Sequence, residues 1–307
     1  MKALLFPLHA APDLTQHMLA DRAIEEGIIE YRHFPDGESY VRLCTPVKGR
    51  PVIVLCGLDR PDERLTALLL AADAAREQGA LQVGLVAPYL AYMRQDRAFQ
   101  SGEAVSAPSF AAILSRHFDW LVTLEPHLHR VSHLDDIFSI PAIAAQATGP
   151  IGDWIANNID QPFLIGPDRE SAPWIERIAE HTNARFCVLE KIRKGDRDVE
   201  ITGSLDDLRA GMTPVVIDDI VSSGATMAAI LGRIVHHSSA SSVCIVVHML
   251  SAEQFGQTTQ ADHPASFISC NSVPHTSNRI DISAPLLTEV RELLERFEVE
   301  RAHSHRL

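Results

Sequence analysis

The sequence predicts an α/β protein of two domains, each a mainly parallel sheet flanked by helices. Three observations carry this. Apolar runs of strand length alternate with amphipathic stretches of helix length along nearly the whole chain. The 307 residues are enough to bury two separate cores. Polar and glycine-containing segments fall just past the apolar runs, where open α/β sheets bind their ligands.

Strands are expected at residues 3–6, 51–56, 82–87, 120–123, 163–166, 184–189, 213–217 and 242–247, each a short run rich in Val, Ile, Leu, Phe or Ala. Helices are expected at residues 64–78, 107–116, 172–182, 225–236 and 285–297, where apolar side chains recur at helical spacing. Residues 141–152 carry Pro, Ala, Thr and Gly between the two series, which puts the domain boundary there. The expected division is residues 1–147, residues 148–284, and a C-terminal helix and tail at 285–307. The tail from Arg301, with His303 and His305, reads as a frayed end rather than a metal site.

Composition narrows the function. A formal net charge of −13 argues against a nucleic-acid partner and against an anionic membrane surface. Any anion must then be held by a local basic cluster. No run of about 18 apolar residues exists to span a membrane, and the apolar start at residues 3–6 is too short for a signal peptide. Cys44, Cys56, Cys187, Cys244 and Cys270 show no C-x-x-C spacing and sit mostly in apolar runs, as reduced thiols of a cytoplasmic protein would.

The most informative segment follows residue 217. An apolar run leads into Asp218-Asp219, then Ile220-Val221, then Ser222-Ser223-Gly224-Ala225-Thr226 and an amphipathic helix. Small residues at a helix start let backbone N–H groups close around a phosphate, and the helix dipole favours the anion. The hydroxyls of Ser222, Ser223 and Thr226 add donors, and two carboxylates suit a sugar diol. The simpler alternative is a serine cap beside two solvated aspartates. No G-x-x-x-x-G-K-[ST] and no G-x-G-x-x-G occurs, so neither a Walker loop nor a dinucleotide fold is expected. The element resembles the phosphoribosyl-binding motif shared by type I phosphoribosyltransferases and ribose-phosphate pyrophosphokinases.

Further segments resemble the pyrophosphokinases and not the transferases, in family order from about residue 34 to about residue 290. Phe34-Pro35-Asp36-Gly37-Glu38 reads by itself as a turn between strands. The resemblance implies that Phe34, Asp36, Gly37 and Glu38 recognise the adenine of ATP bound to a neighbouring subunit, and hence a homo-oligomer. Arg94-Gln95-Asp96-Arg97, followed by Gly102-Glu103-Ala104-Val105-Ser106, resembles the family's nucleotide loop in its archaeal-type form. It implies ATP contacts from Arg94, Gln95 and Arg97. His127, in Leu124-Glu125-Pro126-His127, and Asp168, in Gly166-Pro167-Asp168, match positions that imply Mg²⁺ binding. His129 and His133 match no role. Lys191-Ile192-Arg193, at the start of a basic stretch that also holds Lys194 and Arg197, resembles the family's mobile catalytic segment. Lys191 and Arg193 are the implied catalytic residues. Arg193 and the segment Asp218, Asp219, Ser222, Ser223, Gly224, Ala225 and Thr226 are implied to bind ribose 5-phosphate. Residues 272–286 resemble the family's last strand and helix.

The resemblance implies two phosphoribosyltransferase-like domains, ATP on the N-terminal side and ribose 5-phosphate on the C-terminal side. It further implies transfer of the diphosphoryl group of ATP to the C1 hydroxyl of the sugar. Two departures stand out. Ala225 occupies a place where the family usually has glycine, which costs roughly 1–2 kcal/mol if that residue needs a positive φ and nothing if it is already helical. Arg169-Glu170-Ser171 replaces a segment with glycine, putting a carboxylate near the expected pyrophosphate. The alternatives left open are a catalytically weak regulatory homologue and, further off, a phosphoribosyltransferase.

Overall fold

A computed structural model of the chain describes residues 2–98, 100–128, 133–193, 199–250 and 265–304. The contacts divide the chain into two units. The first comprises residues 1–145, 272–274 and 282–307, and the second residues 146–271 and 275–281.

The first unit holds β1 (Ala3–Leu8), α1 (Pro12–Leu19), β2 (Ile24–Glu26), β3 (Ile29–His33), β4 (Ser39–Leu43), β5 (Pro51–Cys56), α2 (Pro61–Glu77), β6 (Gln82–Ala87), α3 (Ser106–His117), β7 (Trp120–Leu124) and β8 (Ala142–Ala145). Its sheet runs β2-β1-β5-β6-β7-β8, and every pairing in it is parallel. All residues of β5, β6 and β7 are buried, as in a parallel sheet covered on both faces. Gly84 in β6 is required there: a Cβ would lie 2.0 Å from Cζ2 of the buried Trp120, whose indole N–H donates to Gln82 at 2.8 Å. β3 and β4 form a separate antiparallel hairpin.

The second unit holds α4 (Thr148–Asn158), β9 (Pro162–Gly166), α5 (Ala172–Thr182), β10 (Arg185–Val188), β11 (Glu190–Arg193), β12 (Val199–Thr202), β13 (Thr213–Val221), α6 (Ala225–Ile234), β14 (Ser242–Met249), β15 (Ala265–Cys270) and β16 (Asn278–Ile280). Its sheet, β10-β9-β13-β14-β15-β16, is also parallel throughout. β11 and β12 form a second antiparallel hairpin. Met227, Ile230, Leu231 and Ile234 line the inner face of α6 and join Phe163, Ile165, Val216, Cys244 and Val246 of the sheet in one core.

The last helix, α7 (Ser283–Ser304), belongs to the first unit and packs on α1, β7 and β8. Arg291 on α7 pairs with Asp21, which also accepts the backbone N–H of Ala23. Among the described residues no helix is long and apolar enough to cross a membrane.

All eight expected strands and all five expected helices are present, and the differences have local causes. α4 occupies the stretch read as a boundary, because Gly149 and Pro150 fall in its first turn, where a helix tolerates them. α7 runs through Ser304, so the fraying expected from Arg301 does not begin there. β13 does not stop at Ile217. It carries both aspartates and continues to Val221 in register with β14.

Candidate functional site

In the second unit the chain passes from β9 to β10 on one side of the sheet, then returns to β13 on the other. The carboxyl ends of β9 and β13 therefore flank a topological switch point, where open α/β sheets bind ligands. Asp168 lies just past β9. Its carboxylate accepts the N–H groups of Glu170 and Ser171 at 3.1 and 3.3 Å, so it caps the short 3-10 turn at residues 169–171. Gly166 makes room for this turn: a Cβ there would lie 2.5 Å from Ser171 Oγ.

Past the middle of β13, Asp218 and Asp219 are half-buried, and each carboxylate accepts the N–H of the following residue, at 3.0 and 2.7 Å. Ser222 and Ser223 are exposed. Gly224 is buried, with φ 74°, a left-handed conformation in which it serves as N-cap of α6. It has no side chain to cap the helix, and the first turn of α6 contains no acidic residue. Its N–H groups are therefore suited to an external anion. Ala225 is the first residue of the helix. The family's usual glycine is not needed at that position, because the left-handed residue is Gly224.

Lys191 and Arg193 lie on β11, opposite Ile201 and Val199 of β12. Arg233 of α6 donates to the carbonyls of Ile201 and Gly203 at 3.1 and 2.5 Å, which ties the base of this hairpin to α6. At its other strand, Arg169 Nε reaches Glu190 Oε1 at 3.1 Å. Lys194 and Arg197 lie outside the described residues.

In the first unit the segment Phe34-Pro35-Asp36-Gly37-Glu38 is the turn of the β3–β4 hairpin. Gly37 N–H donates to Phe34 O at 2.9 Å, Phe34 N–H to Glu38 O at 2.8 Å, and Gly37 takes φ 92°. Asp36 accepts the N–H of Glu38 at 3.2 Å. The Phe34 ring is 40% exposed, which leaves apolar area open for a ligand. The Arg32 guanidinium lies 4.6 Å from the Phe34 centroid and 4.3 Å from that of Tyr40, with the two rings edge to face.

The neighbouring strands β6 and β7 deliver the other first-unit residues. Arg94 and Arg97 are exposed and Gln95 is half-buried on the loop after β6. His127 is half-buried, shortly after the end of β7. His129 lies outside the described residues, and the backbone N–H of His133 donates to Asp136 in a 3-10 turn. Among the described residues no three His, Cys, Asp or Glu side chains gather into a metal site. The two residues with an expected metal role fall in different units, His127 in the first and Asp168 in the second.

No cysteine is poised as a nucleophile near these elements. Burial pushes the thiols of Cys56, Cys187 and Cys244 up to about 12, with Asp218 adding to the effect at Cys244. Arg32 and Arg169 contact these segments without having been given a role in them. Arg32 had a signal, its two-residue spacing from Phe34 on a strand leading into a turn. For Arg169, the partner Glu190 lies far along the chain, and no local spacing marks the pair.

Comparison with known proteins places this geometry. Residues 3–117 match the N-terminal domain of ribose phosphate pyrophosphokinase, and residues 133–282 match the phosphoribosyl transferase domain. A ribose-phosphate pyrophosphokinase of Methanopyrus kandleri is 30% identical over 267 residues, 86% of this chain and 90% of its own. One from Methanothermobacter thermautotrophicus is 34% identical over 222 residues, 71% of this chain and 75% of its own. The crystal structure of phosphoribosylpyrophosphate synthetase from Mycobacterium smegmatis has the same fold, with a TM-score of 0.79 at 21% identity, covering 96% of this chain and all of that one (100%). With both domains matched in order and relatives alike over most of their length, the chain belongs to the ribose-phosphate pyrophosphokinase family.

Proposed function

We propose that the chain is a Mg²⁺-dependent ribose-phosphate diphosphokinase, transferring the β,γ-diphosphoryl group of ATP to C1–OH of ribose 5-phosphate. The observation that carries this reading is the uncapped start of α6, with Gly224 left-handed, directly after two half-buried aspartates at a switch point. A phosphate takes the N–H groups and the hydroxyls of Ser222, Ser223 and Thr226, while Asp218 and Asp219 accept from the ribose hydroxyls. The second unit is then the sugar side and the first the nucleotide side.

On the nucleotide side Phe34, Asp36, Gly37 and Glu38 take the adenine. An exposed aromatic face stacks on the base, and the carboxylates accept from its amine. Arg94, Gln95 and Arg97 hold the polyphosphate. The C1 oxygen attacks the β-phosphorus, the bond from that phosphorus to the α,β-bridging oxygen breaks, and the oxygen leaves with AMP while the hydroxyl proton passes to solvent. Lys191 and Arg193 stabilise the charge that grows on the transferred group and on the departing oxygen. Positioning and electrostatics carry most of the acceleration in such reactions. His127 and Asp168 would hold Mg²⁺, which offsets polyphosphate charge when bound. A single protein ligand completed by phosphate oxygens and water is an ordinary Mg²⁺ environment.

The direct test incubates the purified protein with ATP, ribose 5-phosphate and Mg²⁺ and follows AMP and phosphoribosyl diphosphate by ³¹P NMR. Both products form together, and EDTA stops them. Formation of neither overturns the reading in favour of a regulatory homologue. Lys191→Ala lowers kcat at least about a hundredfold with little change in the KM for ATP. Sharing of the nucleotide site between copies is tested by mixing Phe34→Ala with Lys191→Ala after joint refolding. Recovered activity requires a site built from two chains, and its absence removes that feature.

A further inference from the structure

The segment Gly102-Glu103-Ala104-Val105-Ser106 has no part in the chemistry above, yet its side chains reach back to the nucleotide loop. Ser106 Oγ–H donates to the backbone carbonyl of Tyr92 at 3.0 Å. Glu103 Oε2 accepts from Gln95 Nε2 at 3.5 Å and from the backbone N–H of Gln100 at 3.0 Å. Ala107, in the first turn of α3, gives its N–H to Gln95 O at 3.2 Å. Tyr92 is itself unusual, with a φ of 64° that non-glycine residues rarely adopt. Its ring packs at 4.9 Å from that of Phe110 on α3, and its hydroxyl donates to Asp62 in the first turn of α2. The residue that turns the chain toward Arg94 is thus fixed at its backbone, its ring and its hydroxyl.

We propose that Tyr92, Glu103 and Ser106 are positioning residues that hold the Arg94–Gln95 loop in its nucleotide-binding shape before the nucleotide arrives. This rests on the reading of Arg94 and Gln95 as ATP ligands. A left-handed non-glycine residue persists only where its surroundings over-determine it. Here these are α2 through Asp62 and α3 through Phe110 and Ser106. The loop itself contains exposed arginines, and without these ties it would lose conformational entropy when ATP binds.

The test compares binding of Mg²⁺-α,β-methylene-ATP, whose α,β bridge cannot be cleaved, across five variants, together with KM for ribose 5-phosphate and Tm. Arg94→Ala tests the ATP reading. Ser106→Ala and Glu103→Ala test the clamp, while Ser106→Thr and Glu103→Gln restore an acceptor or donor of the same kind. Loss of one such hydrogen bond corresponds to about a fivefold weakening. The expected result is a five- to tenfold weaker analogue affinity (about that range) in both alanine variants, unchanged KM for ribose 5-phosphate, and recovery in the conservative pair. Weak binding by Arg94→Ala with normal binding by both clamp variants overturns the clamp and leaves the ATP reading intact. Normal binding by Arg94→Ala overturns both. A parallel loss of Tm, analogue affinity and ribose 5-phosphate use in the clamp variants reduces these residues to fold stability and also overturns the proposal.

Discussion

Two adjacent residues at the start of α6 have opposite backbone demands, and a pair of single substitutions separates them. Gly224 has φ 74° and Ala225 is the first residue of the helix. A Cβ on a left-handed residue costs roughly 1–2 kcal/mol, so Gly224→Ala either keeps the conformation and loses that stability or relaxes the loop and misdirects its N–H groups. In the first case the folded/unfolded ratio falls by about five- to thirtyfold; in the second the KM for ribose 5-phosphate rises by a similar factor. Ala225→Gly introduces only backbone entropy at a helix end, under about 1 kcal/mol, and leaves that KM within about twofold. Urea unfolding followed by both far-UV circular dichroism and tryptophan fluorescence gives the stability, since a chain of two units need not unfold in one step. The reasoning fails if Gly224→Ala matches wild type in stability and KM. It also fails if Ala225→Gly is the more damaging of the two, because the left-handed conformation would then belong to residue 225.

Three further outcomes follow from packing and charge. Gly84→Ala places a methyl 2.0 Å from the pinned indole of Trp120, an overpacking that costs about 1–3 kcal/mol or more; an unchanged Tm would contradict it. At about pH 8 a thiol whose pKa is about 12 is ionised in only about one molecule in ten thousand, and Cys270 is buried outright. A disulfide-exchange reagent should therefore react quickly with Cys44 alone, and Cys44→Ser should abolish that phase; two or more fast thiols would be inconsistent with the burial. The N–H of Ala23, and then Arg291, hold the Asp21 carboxyl below its ordinary value. Its contribution to stability is thus present above the unfolded carboxyl pKa and is lost as pH falls through the lower folded one. Asp21→Asn should lower Tm at about pH 7, with a deficit that shrinks as the solution is acidified, and a deficit independent of pH would remove the charge from the explanation.

Most strands of the sheet interior were legible in the sequence because burial on both faces leaves continuous apolar runs, as in Pro51–Cys56 and Gln82–Ala87, whereas the interior strand Ala265–Cys270, with two serines and little buried at its start, was not. Edge and hairpin strands were mostly not, with β10 the exception. Ile24–Glu26 and Ala142–Ala145 are too short for periodicity to register, and Ile29–His33 shows hardly any buried side chain. The phosphate loop was legible as composition, but its conformation was not. That the left-handed residue is Gly224 and not its neighbour depends on where α6 begins. The Arg94 loop announced its charged residues but not their supports. Those supports come from Asp62, Glu103, Ser106 and Phe110, held together by the packing of α2 and α3, and tertiary packing leaves no trace in local spacing.

The two units differ in how well the loop after the switch-point strand suits an anion. The order β2-β1-β5-β6-β7-β8 in the first has the same pattern of crossovers as β10-β9-β13-β14-β15-β16 in the second. In each, an antiparallel hairpin is inserted before the third sheet strand: β3–β4 carries the Phe34 turn and β11–β12 carries Lys191 and Arg193. Each has a switch point followed by a helix, α2 after β5 and α6 after β13. The first turn of α2 holds Asp62 and Glu63, and just before it Asp59 forms a largely buried pair with Arg64, whose guanidinium also donates to Gly57 O at 2.7 Å. That helix start also lacks a side-chain cap, but the carboxylates in its first turn repel an anion. The first turn of α6 has no acidic residue and no side-chain cap. A shared topology thus supplies two equivalent positions for an anion, and the charge of a few residues after the strand leaves only the one beside Asp218 suited to a sugar phosphate.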